Sequence, residues 1–266
     1  MSEKDRRITT VVKNLKSILI VLPVIAGISL ASTDLSKYQN HDIDEVVKEI
    51  DELYRSESSY SELEMEIVTP HWQRTLGMKV WTEGMDRTFI RITSPPKEDG
   101  MGTLRIENEM WNYLPKTNKV IKIPPSMMMS SWMGSDFTND DLVKEFSMTE
   151  DYSYEFVSPE NVEEDYLYIR FIPREGKPIV WGKIVIAVRA EDYLPVWQKY
   201  YDEKDNLMRV MDFKDIKIFG DRKIPSVMEM LPQDEEGNKT IIRYMKAEFN
   251  KKISADVFGL RNLRSP

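Results

Sequence analysis

The sequence contains no cysteine, only 2 histidines and only 11 glycines in 266 residues. Without cysteine, the chain has no disulfide, no thiol nucleophile and no cysteine-ligated zinc or iron–sulfur site. Its scattered glycines form no phosphate-binding loop or dinucleotide fingerprint, and neither a G-x-S-x-G elbow nor an H-E-x-x-H pair is present. These absences predict a protein without a cofactor and without an enzymatic activity.

An excess of positive charge is also absent. The chain has 45 acidic and 37 basic residues, which gives a formal net charge of −8. Proteins that bind nucleic acids concentrate Lys and Arg on one face to displace counterions from phosphates. We therefore expect no nucleic-acid partner. His41 and His71 alone cannot form a metal site, so we expect none.

The N-terminus has the pattern of an export signal. Five Lys and Arg residues precede an uncharged run of 14 residues from Ser17 to Leu30, and Ser29 and Ala31 occupy the positions that a signal peptidase reads. The run is shorter than the roughly 17–25 residues that span a bilayer. We expect cleavage after Ala31, which leaves residues 32–266 as one domain in the periplasm. The alternative is an uncleaved membrane anchor.

After the signal, one amphipathic helix is followed by many strands. Residues 41–56 place apolar side chains at helical spacing. From Tyr60 onward the period changes to two, and turn residues separate the runs. Besides the run that begins at Tyr60, strands are predicted at 72–82, 87–93, 102–107, 109–114, 119–123, 151–157, 165–172, 179–189, 194–201, 207–219, 226–231 and 240–249. Short turns between so many strands predict one curved antiparallel sheet or barrel, with mainly β structure and few helices.

Alternation stops between residues 124 and 148. An apolar loop lies there between Pro125 and Gly134, and Thr138 and Asp141 then have the spacing of a capping box at the start of a short helix. The loop contains Met127, Met128, Met129, Trp132 and Met133. An apolar loop must cover something. Two hypotheses remain: the loop plugs the barrel as permanent core, or it lines or gates a ligand cavity. We expect the gate for Met128 and Trp132, because a loop bounded by Pro125 and Gly134 can move more readily than a strand.

Three runs within residues 110–142 resemble the signature of the LolA-like outer-membrane lipoprotein-sorting proteins. They read MWNYLP from Met110, VIKIPPSMM from Val120 and WMGSDFTNDDL from Trp132. The resemblance implies a half-open antiparallel β-barrel with a helical lid over an apolar cavity. In this chain the lid would include residues 40–56 and 126–147. Trp111 and Phe137 lie within the matching runs and join the five loop residues as candidate cavity or lid residues.

The resemblance also implies a function. A LolA-like protein is expected to be a periplasmic carrier that shields the acyl chains of a lipoprotein or lipid on the way to the outer membrane. Its partners would be those acyl chains, an inner-membrane export complex and an outer-membrane acceptor. Two alternatives remain open. One is a lipid-sensing or interaction module on the same fold that reports to a membrane partner, and the other is an enzyme acting on envelope lipids or glycans.

Overall fold

A computed structural model of the chain describes residues 38–54, 56–143, 147–159 and 163–264. The predicted signal peptide, residues 1–31, lies outside the described residues. The described residues form 13 strands in one antiparallel sheet, in the order β6-β5-β4-β3-β2-β1-β13-β12-β11-β10-β9-β8-β7. The strands are β1 (Ser58–Val68), β2 (Gln73–Glu83), β3 (Arg87–Ser94), β4 (Gly102–Ile106), β5 (Glu109–Leu114), β6 (Lys119–Lys122), β7 (Tyr152–Phe156), β8 (Tyr166–Pro173), β9 (Lys183–Arg189), β10 (Pro195–Tyr201), β11 (Leu207–Phe219), β12 (Arg222–Pro232) and β13 (Lys239–Phe249).

The sheet is open, because β6 and β7 at its two ends do not pair with each other. It is nevertheless curved, since side chains of β3 near one end and of β9 near the other line the same cavity. This open antiparallel barrel confirms the fold predicted from the sequence. The first and last strands in the sequence, β1 and β13, pair with each other in the middle of the sheet. This pairing joins the two halves of the sheet.

Alternation along each strand assigns its side chains to two faces. On β3, Ile90 and Ile92 face the interior of the barrel, whereas Phe89 faces outward. The outward face is covered by residues 253–264, which we call the C-terminal segment. This segment contributes Phe258 and Leu263 to an apolar cluster outside the barrel. In this half of the sheet, the outward-facing side chains that belong to this cluster are therefore buried as well as the inward-facing ones.

Three short helices accompany the sheet. Helix α1 (Ile43–Glu52) begins at Asp42, whose side chain accepts a hydrogen bond from the Asp44 backbone amide, and buries Val46 and Val47 against β7 to β11. It is shorter than the predicted span of 41–56. Helices α2 (Asn139–Val143) and α3 (Leu260–Arg264) have one turn or slightly more. None of the helices in the described residues has the length and apolar character that a bilayer-spanning helix needs.

Candidate functional site

A cavity of about 390 Å³ lies inside the curve of the sheet. Its walls come from both halves of the barrel because inward-facing positions recur every second residue on each strand. Most of the lining is apolar, and this surface favours a hydrocarbon ligand over a polar one. Residues that line the cavity from the strands include Leu63, Met65, Met78, Val80, Ile90, Ile184, Tyr200, Met211 and Ile242.

One side of the cavity is closed by residues 125–142, which we call the cover segment. Met129, Trp132 and Phe137 of this segment line the cavity, together with Leu142 of α2. Trp132 is only 4% exposed and its indole Nε1 donates a hydrogen bond to Thr103 Oγ1 at 3.1 Å. The structure thus places Trp132 in the cavity wall and in the core at the same time.

The other loop candidates are placed differently. Met128 and Met133 are half-buried and pack against the same apolar cluster as Trp132. Met127 is 48% exposed, and Met129, although it lines the cavity, is 56% exposed. The structure therefore brings together three of the seven candidate residues at the cavity and places two more behind them.

Trp111 is not brought to this cavity. Its side chain packs on the outer face of the sheet with the cluster that contains Phe258 and Leu263, and Lys122 Nζ lies 5.5 Å from its ring centre. Because period two gives alternation but not which face is inside, the sequence contains no signal that separates Trp111 from an inward-facing aromatic such as Trp181, which lines the cavity.

The cover segment is ordered by its own hydrogen bonds. The Asn139 side-chain amide donates to the carbonyls of Met127 at 3.0 Å and Ser130 at 3.2 Å. The backbone amide of Trp132 donates to the Phe137 carbonyl at 2.7 Å. The turn between them requires positive φ angles, 54° at Met133 and 75° at Gly134, and glycine adopts such angles without strain. The segment is therefore a preformed loop.

Polar contacts fasten the cover segment to the sheet at two places. Arg74 of β2 donates a hydrogen bond to the Met133 carbonyl. Thr240 of β13 donates to Asp136 Oδ2 at 2.6 Å and accepts from the Asp136 backbone amide at 2.9 Å. Together with the bond from Trp132 to Thr103, these contacts attach the segment to strands on both sides of the β1 position.

A fourth attachment crosses the cavity. Arg209 of β11 and Asp141 of α2 form a bidentate ion pair, with Arg209 Nη1 2.9 Å from Asp141 Oδ2 and Nη2 2.7 Å from Oδ1. The guanidinium carbon of Arg209 lies 4.5 Å from the ring centre of Trp181 and 4.3 Å from that of Tyr200. A planar guanidinium can make both the bidentate pair and the stacking contacts, which an ammonium group cannot do.

The ion pair governs the protonation of both partners. Burial by itself would raise the pKa of Asp141, but the hydrogen bonds and the charge of Arg209 outweigh it and hold the pKa below its usual range. Burial would likewise lower the pKa of Arg209, but Asp141 reverses the direction and raises it. The pair is therefore charged at neutral pH and neutral as a unit, so the cavity contains no uncompensated charge from it.

The predicted capping box is present in the same helix. The Thr138 backbone amide donates to Asp141 Oδ2 at 2.8 Å, and the Asp141 amide donates to Thr138 Oγ1 at 3.1 Å. Asp141 therefore both caps α2 and pairs with Arg209. Sequence reasoning missed Arg209, because nothing local links it to a residue 68 positions away. Within the described part of the chain, no three His, Cys, Asp or Glu side chains come together as a metal site.

Comparisons with known proteins agree with this architecture. A family model described as "Uncharacterized protein" matches residues 84–265. No curated protein matches the sequence. Among solved structures, a DUF1329 family protein from Desulfovibrio piger is 24% identical with a TM-score of 0.73, and the alignment covers 82% of this chain and 96% of that chain.

Two further structures have the same fold. A putative outer membrane lipoprotein-sorting protein domain from Vibrio parahaemolyticus is 21% identical with a TM-score of 0.70, over 83% of this chain and 97% of that chain. A LolA superfamily protein from Nitrosomonas europaea is 15% identical with a TM-score of 0.68, over 82% and 98%. The resemblance to LolA-like proteins predicted from the sequence is thus confirmed for the fold.

Proposed function

The chain belongs to the family of uncharacterized proteins whose model matches residues 84–265, and from this premise we propose that it is a carrier that shields acyl chains of a lipoprotein or lipid during transfer to the outer membrane. The observation that carries the proposal is the apolar cavity between the two halves of an open barrel, closed by a separately fastened cover segment. The LolA-like fold, which occurs in a lipoprotein-sorting protein domain, supports it.

The energetics of transfer explain why such a cavity is needed. Each methylene exposed to water costs about 0.8 kcal/mol, so an acyl chain of about fourteen carbons carries a penalty on the order of 11 kcal/mol in an aqueous compartment. A carrier removes this penalty by burying the chain. Release requires that the cavity wall can yield, and Met129 at the exposed edge of the cavity gives contacts that rearrange without breaking hydrogen bonds.

The proposal includes export and a periplasmic location. Cleavage after Ala31 would produce a mature chain that begins at Ser32. N-terminal sequencing of the protein from the periplasmic fraction checks this. An intact residue 1–31 segment recovered in membranes would contradict the carrier and favour a tethered sensor. In the carrier function the partners are an inner-membrane export complex as donor and an outer-membrane acceptor, and the chain itself performs no catalysis.

Titration of the mature protein with an apolar fluorescent dye tests the cavity. We expect saturable binding at one or a few sites. Ile242→Trp, which fills the cavity from β13, should weaken binding at least about tenfold. The matched control Met245→Trp changes an outward position of the same strand that is 65% exposed, and it should leave binding unchanged. A folded protein without saturable binding would overturn the proposal. Transfer of a fluorescent fatty acid between vesicles then separates a carrier from a sensor.

A further inference from the structure

A second cavity of about 330 Å³ adjoins the apolar one at the α1 end of the barrel. Leu63 of β1 and Val80 of β2 line both cavities, so the two spaces meet at these side chains. At this point the inward-facing side chains of both strands change from apolar to polar. Along β1, Met65 and Leu63 give way to Ser61 and Ser59, and along β2 Val80 gives way to Thr82.

Six of the eleven residues that line this second cavity, which we call the polar cavity, carry hydroxyl groups. Ser59 Oγ and Thr82 Oγ1 lie 2.7 Å apart and hydrogen-bond to each other. The hydroxyl groups of Ser61 and Tyr244 line the same space and have no hydrogen-bond partner among the described residues. Groups of this kind in the wall of a cavity can donate to and accept from a ligand that presents hydroxyl or ester oxygens.

Charge excludes one class of ligand from this space. The charged side chain among the described residues that line it is the carboxylate of Asp51. Asp51 already accepts hydrogen bonds from the Met148 backbone amide at 2.8 Å and from Ser147 Oγ at 3.0 Å. A phosphate or carboxylate headgroup would meet this negative charge without a lining cation to compensate it. The cation of the neighbouring apolar cavity, Arg209, is neutralised by Asp141.

We propose that the polar cavity is a headgroup site for an amphiphile with a neutral, hydroxyl-rich headgroup, such as a glyceride or a glycolipid, whose hydrocarbon chain occupies the apolar cavity. This inference rests on the proposed carrier function, because it needs an acyl chain in the first cavity. It adds to that function the chemical class of the ligand's headgroup. Leu63 and Val80 border both cavities, so a ligand whose chain passes these two side chains would occupy both spaces.

A headgroup series tests the inference. Each ligand carries the same dodecyl-length chain and displaces a bound apolar dye: dodecanoylglycerol, dodecyl glucoside and dodecyl phosphate. We expect dodecanoylglycerol, dodecyl glucoside or both to bind at least about tenfold more tightly than the phosphate, as expected from two or more added hydrogen bonds. Preference for the glyceride alone or the glucoside alone identifies the source of the headgroup, and preference for both supports the shared chemistry.

Variants locate the effect. Ser61→Ala and Thr82→Val should each reduce the affinity for the preferred neutral ligand at least about threefold and leave dodecyl phosphate unchanged. The matched control Thr75→Val, on the exposed outer face of β2, should change neither. If the dye binds but all three ligands compete equally, or the phosphate competes best, the headgroup site is overturned and the carrier proposal stands. If the dye itself does not bind, both fail together.

Discussion

The cover segment and the C-terminal segment lie on opposite faces of the same strands, and each buries at least one large side chain almost completely. Trp132 of the cover segment is 4% exposed and Leu263 of the C-terminal segment is 0% exposed. What differs is the space behind them. Trp132 borders a cavity of about 390 Å³. Leu263 packs so closely against β4 that a Cβ atom added to Gly102 would lie 2.8 Å from Leu263 Cδ1.

The attachments differ as well. The C-terminal segment is held by apolar contacts and by Arg91, whose guanidinium donates to the carbonyls of Asn262 at 2.7 Å and Leu263 at 3.1 Å. The cover segment also packs Trp132 and two Met side chains into an apolar cluster. It makes more polar contacts with the sheet, among them the pair between Arg209 and Asp141. Water can replace polar contacts one at a time, whereas close packing is lost only when the segment leaves as a unit. We therefore expect the cover segment to move more readily than the C-terminal segment, although Trp132 and Leu263 are almost equally buried.

The largest expected effect compares Leu263→Ala with Trp132→Ala. Both remove a buried side chain, so each should lower the free energy of unfolding by about 2–5 kcal/mol in denaturant melts. Affinity for an apolar dye should separate them, because only Trp132 borders the cavity. We expect weaker binding for Trp132→Ala and unchanged binding for Leu263→Ala.

The control for this pair is Leu260→Ala. Leu260 belongs to the same helix as Leu263 but is 43% exposed, so its replacement should cost less than about 1 kcal/mol. If Trp132→Ala lowers the free energy of unfolding by less than about 1 kcal/mol, the cover segment rearranges around this residue. That result would support the hypothesis that Trp132 belongs to a gate. Unchanged dye affinity in the same variant would show that Trp132 belongs to the permanent core and has no role in binding.

The comparison also explains what the sequence could predict. The strands of the whole sheet were predictable, because alternation and turn residues are local signals. The capping box of Thr138 and Asp141 was predictable for the same reason. That the loop from Met127 to Met133 covers apolar space was predictable from its composition, but its division into buried Trp132 and exposed Met127 was not.

The remaining features depend on long-range register. Period two places Trp111 on one face or the other of β5, and only the curvature of the sheet decides which face is inside. Trp181, which lines the cavity, precedes β9 and lies outside the strand. The partner of Asp141 is fixed by the position of β11 in the sheet order, which no local pattern encodes. The same applies to the alignment of Ser59 with Thr82 across β1 and β2.

A smaller effect is expected from the ion pair of the cover segment. Asp141→Asn keeps the shape and one acceptor oxygen but leaves the buried Arg209 guanidinium without its counter-charge. It should therefore lower the free energy of unfolding by about 2–3 kcal/mol. The pKa of Asp141 is lowered in the folded protein, so the stability it contributes is present above its unfolded pKa of about 3.9 and is lost as the pH falls through the lower folded value.

Denaturant melts at a series of pH values check the sign. The stability difference between the unmodified protein and Asp141→Asn should stay constant from pH 7 down to about pH 5 and shrink below about pH 4. A difference that persists at the lowest pH would assign the loss to altered packing of α2 instead of the charge. The protection factor of the Trp132 amide against hydrogen exchange, which is corrected for the intrinsic pH dependence, should fall over the same pH range if the pair holds the cover segment closed, because this amide bonds to the Phe137 carbonyl.

The smallest expected effect on stability concerns Met129 and Met127, two neighbours in the cover segment with similar exposure. Met129 is 56% exposed and Met127 is 48% exposed, so replacing either with Ala should change the free energy of unfolding by less than about 0.5 kcal/mol. Only Met129 lines the cavity. If ligand enters or leaves at this edge, Met129→Ala should weaken dye binding and speed dye release, because the flexible side chain there covers bound hydrocarbon. Met127→Ala should change neither rate nor affinity. Stopped-flow measurement of dye release from both variants tests this prediction. Equal release rates would show that the ligand does not pass the exposed edge at Met129. The entrance would then have to lie elsewhere along the cavity wall.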